Sequence, residues 1–102
     1  MKTLIIDTAG SKEVVIGLKI EDKEIIAKQK LDITKAQAAL PMIEKILKEN
    51  KYDLKDLDSI EVNVGPGSFT GIRVGLSIAN TLSFVLKIPV NGEISDFAQA
   101  SY

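Results

Sequence analysis

The sequence predicts an α/β domain in which one mixed five-stranded sheet carries helices packed on it. Three observations predict this. Three short strand-like runs open the chain and are joined by tight turns. Two later segments carry apolar residues at helical spacing. A further strand leads straight into the glycine-rich stretch Gly65-Pro66-Gly67-Ser68-Phe69-Thr70-Gly71-Ile72-Arg73-Val74-Gly75. The order β-β-β-α-β-α-β-α over 102 residues fits one small domain, residues 1–102.

Residues 3–7 form a continuous apolar run ending at Asp7, the pattern of a strand covered on both faces at the sheet centre. Thr8-Ala9-Gly10-Ser11 turns the chain into a second strand over 14–20, and Glu21-Asp22-Lys23-Glu24 makes a charged hairpin tip before a third over 25–31. Such short connections suit an antiparallel meander. Thr34-Lys35-Ala36-Gln37 has the Thr-x-x-Gln form of a capping box. Ala36, Ala39, Leu40, Ile43, Ile46 and Leu47 then repeat at helical spacing, while Lys45, Lys48 and Glu49 face water. Pro41 interrupts this pattern and predicts a kink, because it removes a hydrogen bond and presses on the carbonyl of Gln37. Residues 53–57 predict a single short turn, and 59–64 a fourth strand. A second helix is expected over 69–86, a short fifth strand from Ile88-Pro89-Val90, and a last helix capped near Ser95-Asp96 that the chain leaves unfinished at Tyr102.

Composition narrows the chemistry. Thirteen Lys and Arg against fourteen Asp and Glu give a net charge of −1, so no global field draws a polyanion. Histidine and cysteine are both absent. The commonest general base and thiolate nucleophile are therefore missing, and only oxygen ligands remain for a metal. Disulfides are impossible, the first residues do not read as a signal peptide, and the apolar stretches look too short to span a membrane. A cytoplasmic protein without cofactor is the expectation.

Each motif has two readings. The glycine loop can cradle phosphate at a helix N-terminus, or it can be a tight turn in which Ser68 caps the helix at the N–H of Gly71. It is neither a Walker A loop nor a dinucleotide fingerprint. Asp7, Thr8 and Ser11 can hold magnesium and phosphate, or simply cap a hairpin turn. Over 69–86 the only charge is Arg73, and Gly71, Gly75, Ala79 and Ser83 fall four apart as a stripe without bulk. A helix apolar nearly all round is covered on both sides, by a partner or by the first helix of the same chain. Arg73 either pairs with a partner carboxylate or bonds an internal group such as Asp7.

Asp7-Thr8 after a first strand, Leu40-Pro41 in a helix, the Gly-Pro-Gly-Ser-Phe-Thr-Gly-x-Arg-x-Gly run and Ile88-Pro89-Val90 together resemble the TsaB (YeaZ) family, over essentially the whole chain. That resemblance implies the N-terminal half of an actin-like, ribonuclease-H-like fold, with the family's second lobe absent. It implies a non-catalytic subunit of the machinery that makes N6-threonylcarbamoyladenosine at position 37 of tRNA. Such a subunit would bind the catalytic protein TsaD, recruit TsaE, form a homodimer in isolation and touch tRNA only indirectly, with no membrane involved. TsaD-like proteins carry paired histidines for a metal, which this chain lacks. Family interfaces use the first two helices, so the resemblance assigns the partner surface to Phe69, Thr70, Gly71, Ile72, Arg73, Gly75, Leu76, Ala79 and Ser83. Gly75→Leu is then expected to block pairing while the domain stays folded. One departure is Thr34-Lys35-Ala36-Gln37, standing where the family commonly has a His-Ser-Glu-like run. The alternative is the ATP- and magnesium-binding half of an actin-like phosphotransferase or carbamoyl-transfer enzyme.

Overall fold

Alternation of side chains builds the sheet. In β1 (Lys2–Asp7), Leu4 and Ile6 turn to one face and are fully buried. Thr3, Ile5 and Asp7 turn to the other, where Ile5 and Asp7 are only half-buried, so β1 is not fully covered on both faces as expected. β2 (Glu13–Ile20) runs antiparallel to β1 and sets Leu18 opposite Leu4 and Ile16 opposite Ile6. β3 (Lys23–Lys30) returns antiparallel along β2 after a turn in which Glu21 takes a φ of 52°. β4 (Ser59–Val62) lies parallel to β1 on its far side, with Ile60 beside Leu4 and Val62 beside Ile6. The computed structural model that establishes this architecture describes residues 1–10, 12–30 and 35–92. Ser11, Thr34 of the expected capping box, and the helix expected near Ser95-Asp96 lie outside the described residues.

Among the described residues the sheet has four strands in the order β3-β2-β1-β4, not five. Ile88-Pro89-Val90 reaches the β4 edge but makes only an isolated parallel bridge between Val90 and Ile60. The cause is local. Pro89 has no N–H, so it only accepts, from Ile60 N–H at 2.9 Å, and Asn91 N–H then donates to the Ile60 carbonyl at 2.8 Å. The ladder is continued by a side chain. Asn91 Oδ1 accepts from Val62 N–H at 2.9 Å, and Asn91 Nδ2 donates to the Val62 carbonyl at 3.0 Å.

Among the described residues two helices cover one face of the sheet. α1 (Lys35–Glu49) packs mainly on β2, and α2 (Phe69–Leu86) lies over β4 and β1 beside it. α1 buries Ala38, Ala39, Met42, Ile43, Ile46 and Leu47, and it runs through Pro41 as one element. Leu40 belongs to the apolar repeat yet is 55% exposed. A 3-10 turn at Leu54–Asp56 returns the chain to β4, as the sequence leads one to expect. Leu4, Ile6, Ile16, Leu18, Ile60 and Ile72 lie at the centre of the single core between sheet and helices.

The opposite sheet face is half-wet. A Cβ added to Gly17 would sit 2.7 Å from Ile26 Cδ1 and 3.2 Å from Ile5 Cβ, so a glycine here lets the two isoleucines close over β2. Charges rim this patch, with Lys19 Nζ 3.5 Å from Glu61 Oε1. For the antiparallel strands β1–β3 this is the ordinary balance of one packed and one solvated face.

Candidate functional site

The glycine loop and the end of β1 are laced together. Ser68 N–H donates to the Ala9 carbonyl at 2.9 Å, and Ser68 Oγ accepts from Gly71 N–H at 3.2 Å, the cap expected from the sequence. Gly65 has a φ of 119°, which glycine adopts without strain, and its peptide bond to Pro66 is cis. Gly67 is needed for space, because a Cβ there would lie 2.8 Å from Ala9 Cβ. Asn63 completes the turn. Its Oδ1 accepts from Gly65 N–H at 3.0 Å, and its Nδ2 donates to Asp7 Oδ1 at 3.2 Å. Asn63 lies outside the glycine motif, yet an Asn two residues before a Gly is a usual signal for such a turn.

Asp7 and Thr8 are bound into this framework. Asp7 Oδ1 also accepts from Ala9 N–H at 3.0 Å. Thr8 is fully buried and its hydroxyl donates to the Gly71 carbonyl. Of the phosphate and magnesium candidates, these two therefore meet α2 and the glycine loop, while Ser11 is outside the described residues. No group of three or more Asp and Glu able to hold a metal ion occurs among the described residues. A cleft of about 410 Å³ does open at the carboxyl ends of β1 and β4, lined by Asp7, Glu61, Asn63 and Asn91.

The small-residue stripe faces the sheet, not the partner surface to which the resemblance assigns it. Gly71, Ile72, Gly75, Leu76, Ala79 and Ser83 are all buried within the chain. A Cβ on Gly75 would lie 2.5 Å from Thr8 Oγ1 and 3.3 Å from Val62 Cγ2. The close approach that glycine allows is thus between helix and sheet, and Gly75→Leu cannot be a change that spares the fold. Ser83 closes the helix at its far end. Its hydroxyl donates to the Ile88 carbonyl at 2.5 Å, and its carbonyl accepts from Lys87 N–H at 2.8 Å.

The outward face of α2 is a different set. Phe69, Thr70, Arg73, Ser77, Thr81, Phe84 and Val85 are exposed, and Arg73 is the one charge among them. Phe84 is 75% exposed, Val85 66% and Phe69 51%. The Arg73 guanidinium lies 4.2 Å from the centroid of the Phe69 ring, an i, i+4 stack on the helix surface. Beside this face, a groove of about 560 Å³ runs between the helices, with Leu40, Ile43, Leu47, Tyr52, Leu54 and Leu82 among its lining. Phe84 belongs to the apolar excess of a helix with one charge, whereas Val85 and Leu40 each sit in a pattern that reads as core. α2 also has 18 residues at a mean hydropathy of 1.4, long and apolar enough to cross a bilayer by length and composition, contrary to the expectation. In this domain its buried side lies on the sheet.

Comparison with known proteins fits this architecture. Residues 14–95 match the family described as TsaD: tRNA N6-adenosine threonylcarbamoyltransferase. The tRNA threonylcarbamoyladenosine biosynthesis protein TsaB of Buchnera aphidicola subsp. Schizaphis graminum is 53% identical over 53 residues, 52% of this chain and 25% of that protein. TsaB of Bacillus subtilis is 30% identical over 94 residues, 89% of this chain and 40% of that protein. The structure of YeaZ from Pseudomonas aeruginosa superposes with a TM-score of 0.81 at 30% identity, over 87% of this chain and 41% of that one. The chain thus spans well under half the length of the relatives it matches.

Proposed function

The chain belongs to the TsaB/YeaZ family, and on that premise we propose that it is a non-catalytic dimerisation and scaffold subunit in the making of N6-threonylcarbamoyladenosine at position 37 of tRNA. It binds a TsaD-like catalytic subunit and holds that enzyme in an active arrangement. The observation that carries this reading is the outward face of α2, where Phe69, Phe84 and Val85 stand exposed around a single arginine. An apolar face of this kind is costly in water and marks a contact surface. The groove toward α1 extends it, and a stable interface needs about 800 Å² from each partner. The absence of histidine and cysteine from the chain supports a subunit that does no chemistry itself.

In this reading the isolated chain pairs with itself through the same surface, and TsaE joins the complex rather than the chain alone. Contact with tRNA runs through the partner, and the protein works in the cytoplasm as one lobe of an actin-like fold. Size exclusion with light scattering tests it, on the chain alone and mixed with TsaD from the same source. A dimer that gives way to a mixed complex is expected, and a monomer indifferent to TsaD would overturn it.

A second reading is favoured by the cleft at the carboxyl ends of β1 and β4, where Asp7 and Glu61 stand with two asparagines. Ligands of open α/β sheets bind outside such ends. The chain would then be a nucleotide- and magnesium-binding half of a phosphotransferase or carbamoyl-transfer enzyme. Titration with ATP decides: saturable, magnesium-dependent binding favours it, and none favours the scaffold.

A further inference from the structure

We propose that Asn91 is a site of spontaneous deamidation, guarded by the sheet, and that its loss weakens the latch that holds the Ile88–Val90 segment on β4. The inference is independent of the scaffold reading. Asn91 is followed by Gly92, and both are exposed. A glycine after asparagine leaves the following backbone nitrogen without a neighbouring Cβ to hinder it. The reaction needs only water. Gly92 N bonds to Asn91 Cγ while the Cγ–Nδ2 bond breaks, Nδ2 leaving as ammonia with the proton that Gly92 N gives up. Water then opens the cyclic imide to aspartate or isoaspartate.

The fold opposes the first step. Asn91 Oδ1 and Nδ2 are both engaged by the backbone of Val62, at 2.9 and 3.0 Å, which holds the amide against β4 and restricts its turning onto Gly92 N. The reaction therefore proceeds only from molecules in which this contact has opened, and its rate in the folded chain is scaled by that open fraction. The product cannot close again as before. A carboxylate still accepts from Val62 N–H, but it has no donor for the Val62 carbonyl and sets a negative charge against that oxygen. On β4 the segment then keeps the Asn91 N–H bond to the Ile60 carbonyl and the Ile60 N–H bond to Pro89, which together make the Val90 bridge, while Ser83 and the buried Val90 side chain hold it to the rest of the core. Isoaspartate adds a backbone carbon and shifts these as well.

The test follows the intact chain of 102 residues in neutral buffer and in urea at the same pH and temperature, reading the mass of the peptide that contains Asn91. Deamidation at least about tenfold slower in the folded chain is expected from a contact that must open first. Equal rates would overturn the guarding role. Hydrogen exchange on the aged folded sample reads the second half. Molecules heavier by about 1 Da should exchange the Ile60 and Asn91 amides faster than unmodified ones, whose bonds at 2.9 and 2.8 Å remain latched. Identical exchange in the two populations would overturn the weakened latch.

Discussion

Gly75 lies against Thr8 so closely that a Cβ added to the glycine would stand 2.5 Å from the threonine hydroxyl oxygen. That same hydroxyl donates to the Gly71 carbonyl, one turn earlier on α2. One buried threonine at the end of β1 thus sets how deep the helix sits.

Gly75→Ala is expected to destabilise the domain by about 1–3 kcal/mol, the cost of overpacking, despite alanine's better helix propensity. Urea unfolding measures it as a lower midpoint. A midpoint at or above that of the parent would show that α2 can lift from β1 without loss.

Thr8→Val keeps the shape and removes the donor. The Gly71 carbonyl then loses its threonine partner, and a loss of about 1–3 kcal/mol is expected. The urea midpoint should fall with an unchanged slope, since the surface exposed on unfolding is the same.

Gly17→Ala should be milder. The atom in its way is Ile26 Cδ1, the far end of a side chain that is 41% exposed and free to turn. A rotamer adjustment of about 0.5–1.5 kcal/mol is expected. A loss as large as that of Gly75→Ala would mean that Ile5 Cβ at 3.2 Å, not Ile26, is the obstacle.

Phe84→Asp separates surface from fold. Phe84 is 75% exposed, so stability should stay within about 0.5 kcal/mol. Affinity for a TsaD partner, or for a second copy, should fall at least about tenfold if this ring is a contact centre. Calorimetric titration of variant and parent gives both, and unchanged affinity would move the interface off this face.

Much of this architecture was legible because period and turn chemistry agree. The hairpins, the second helix, the turn near Leu54 and the Ser68 cap all carry local signals that their surroundings do not override. The small stripe of α2 was visible but not its direction. Residues without bulk permit close approach to a helix or to a sheet alike, and only the Thr8 hydroxyl and Val62 methyl decide between them. The fifth strand was overstated because Pro89 has no N–H to extend pairing back toward Asp58, and the Asn91 side chain takes the Val62 N–H and carbonyl that a further bridge would use. The roles of Asp7 and Thr8 depend on Asn63 and Gly71, each more than fifty residues away.

The two neighbours of β1 differ in how far away they lie along the chain. β2 follows it directly, whereas the Thr3 hydroxyl meets that of Ser59 across a separation of 56 residues. Closing the long loop costs chain entropy before any contact repays it, so the β1–β2–β3 meander should assemble first and β4 with α2 last. Pulse-labelled exchange should then protect β2 amides before the Ile60 amide. In that interval one edge of β1 is bare, with Leu4 and Ile6 uncovered beside it. Nascent chains should be most prone to stick to one another then, and a crowded refolding mixture should lose yield through β1 rather than through the lysine-bearing β3 edge.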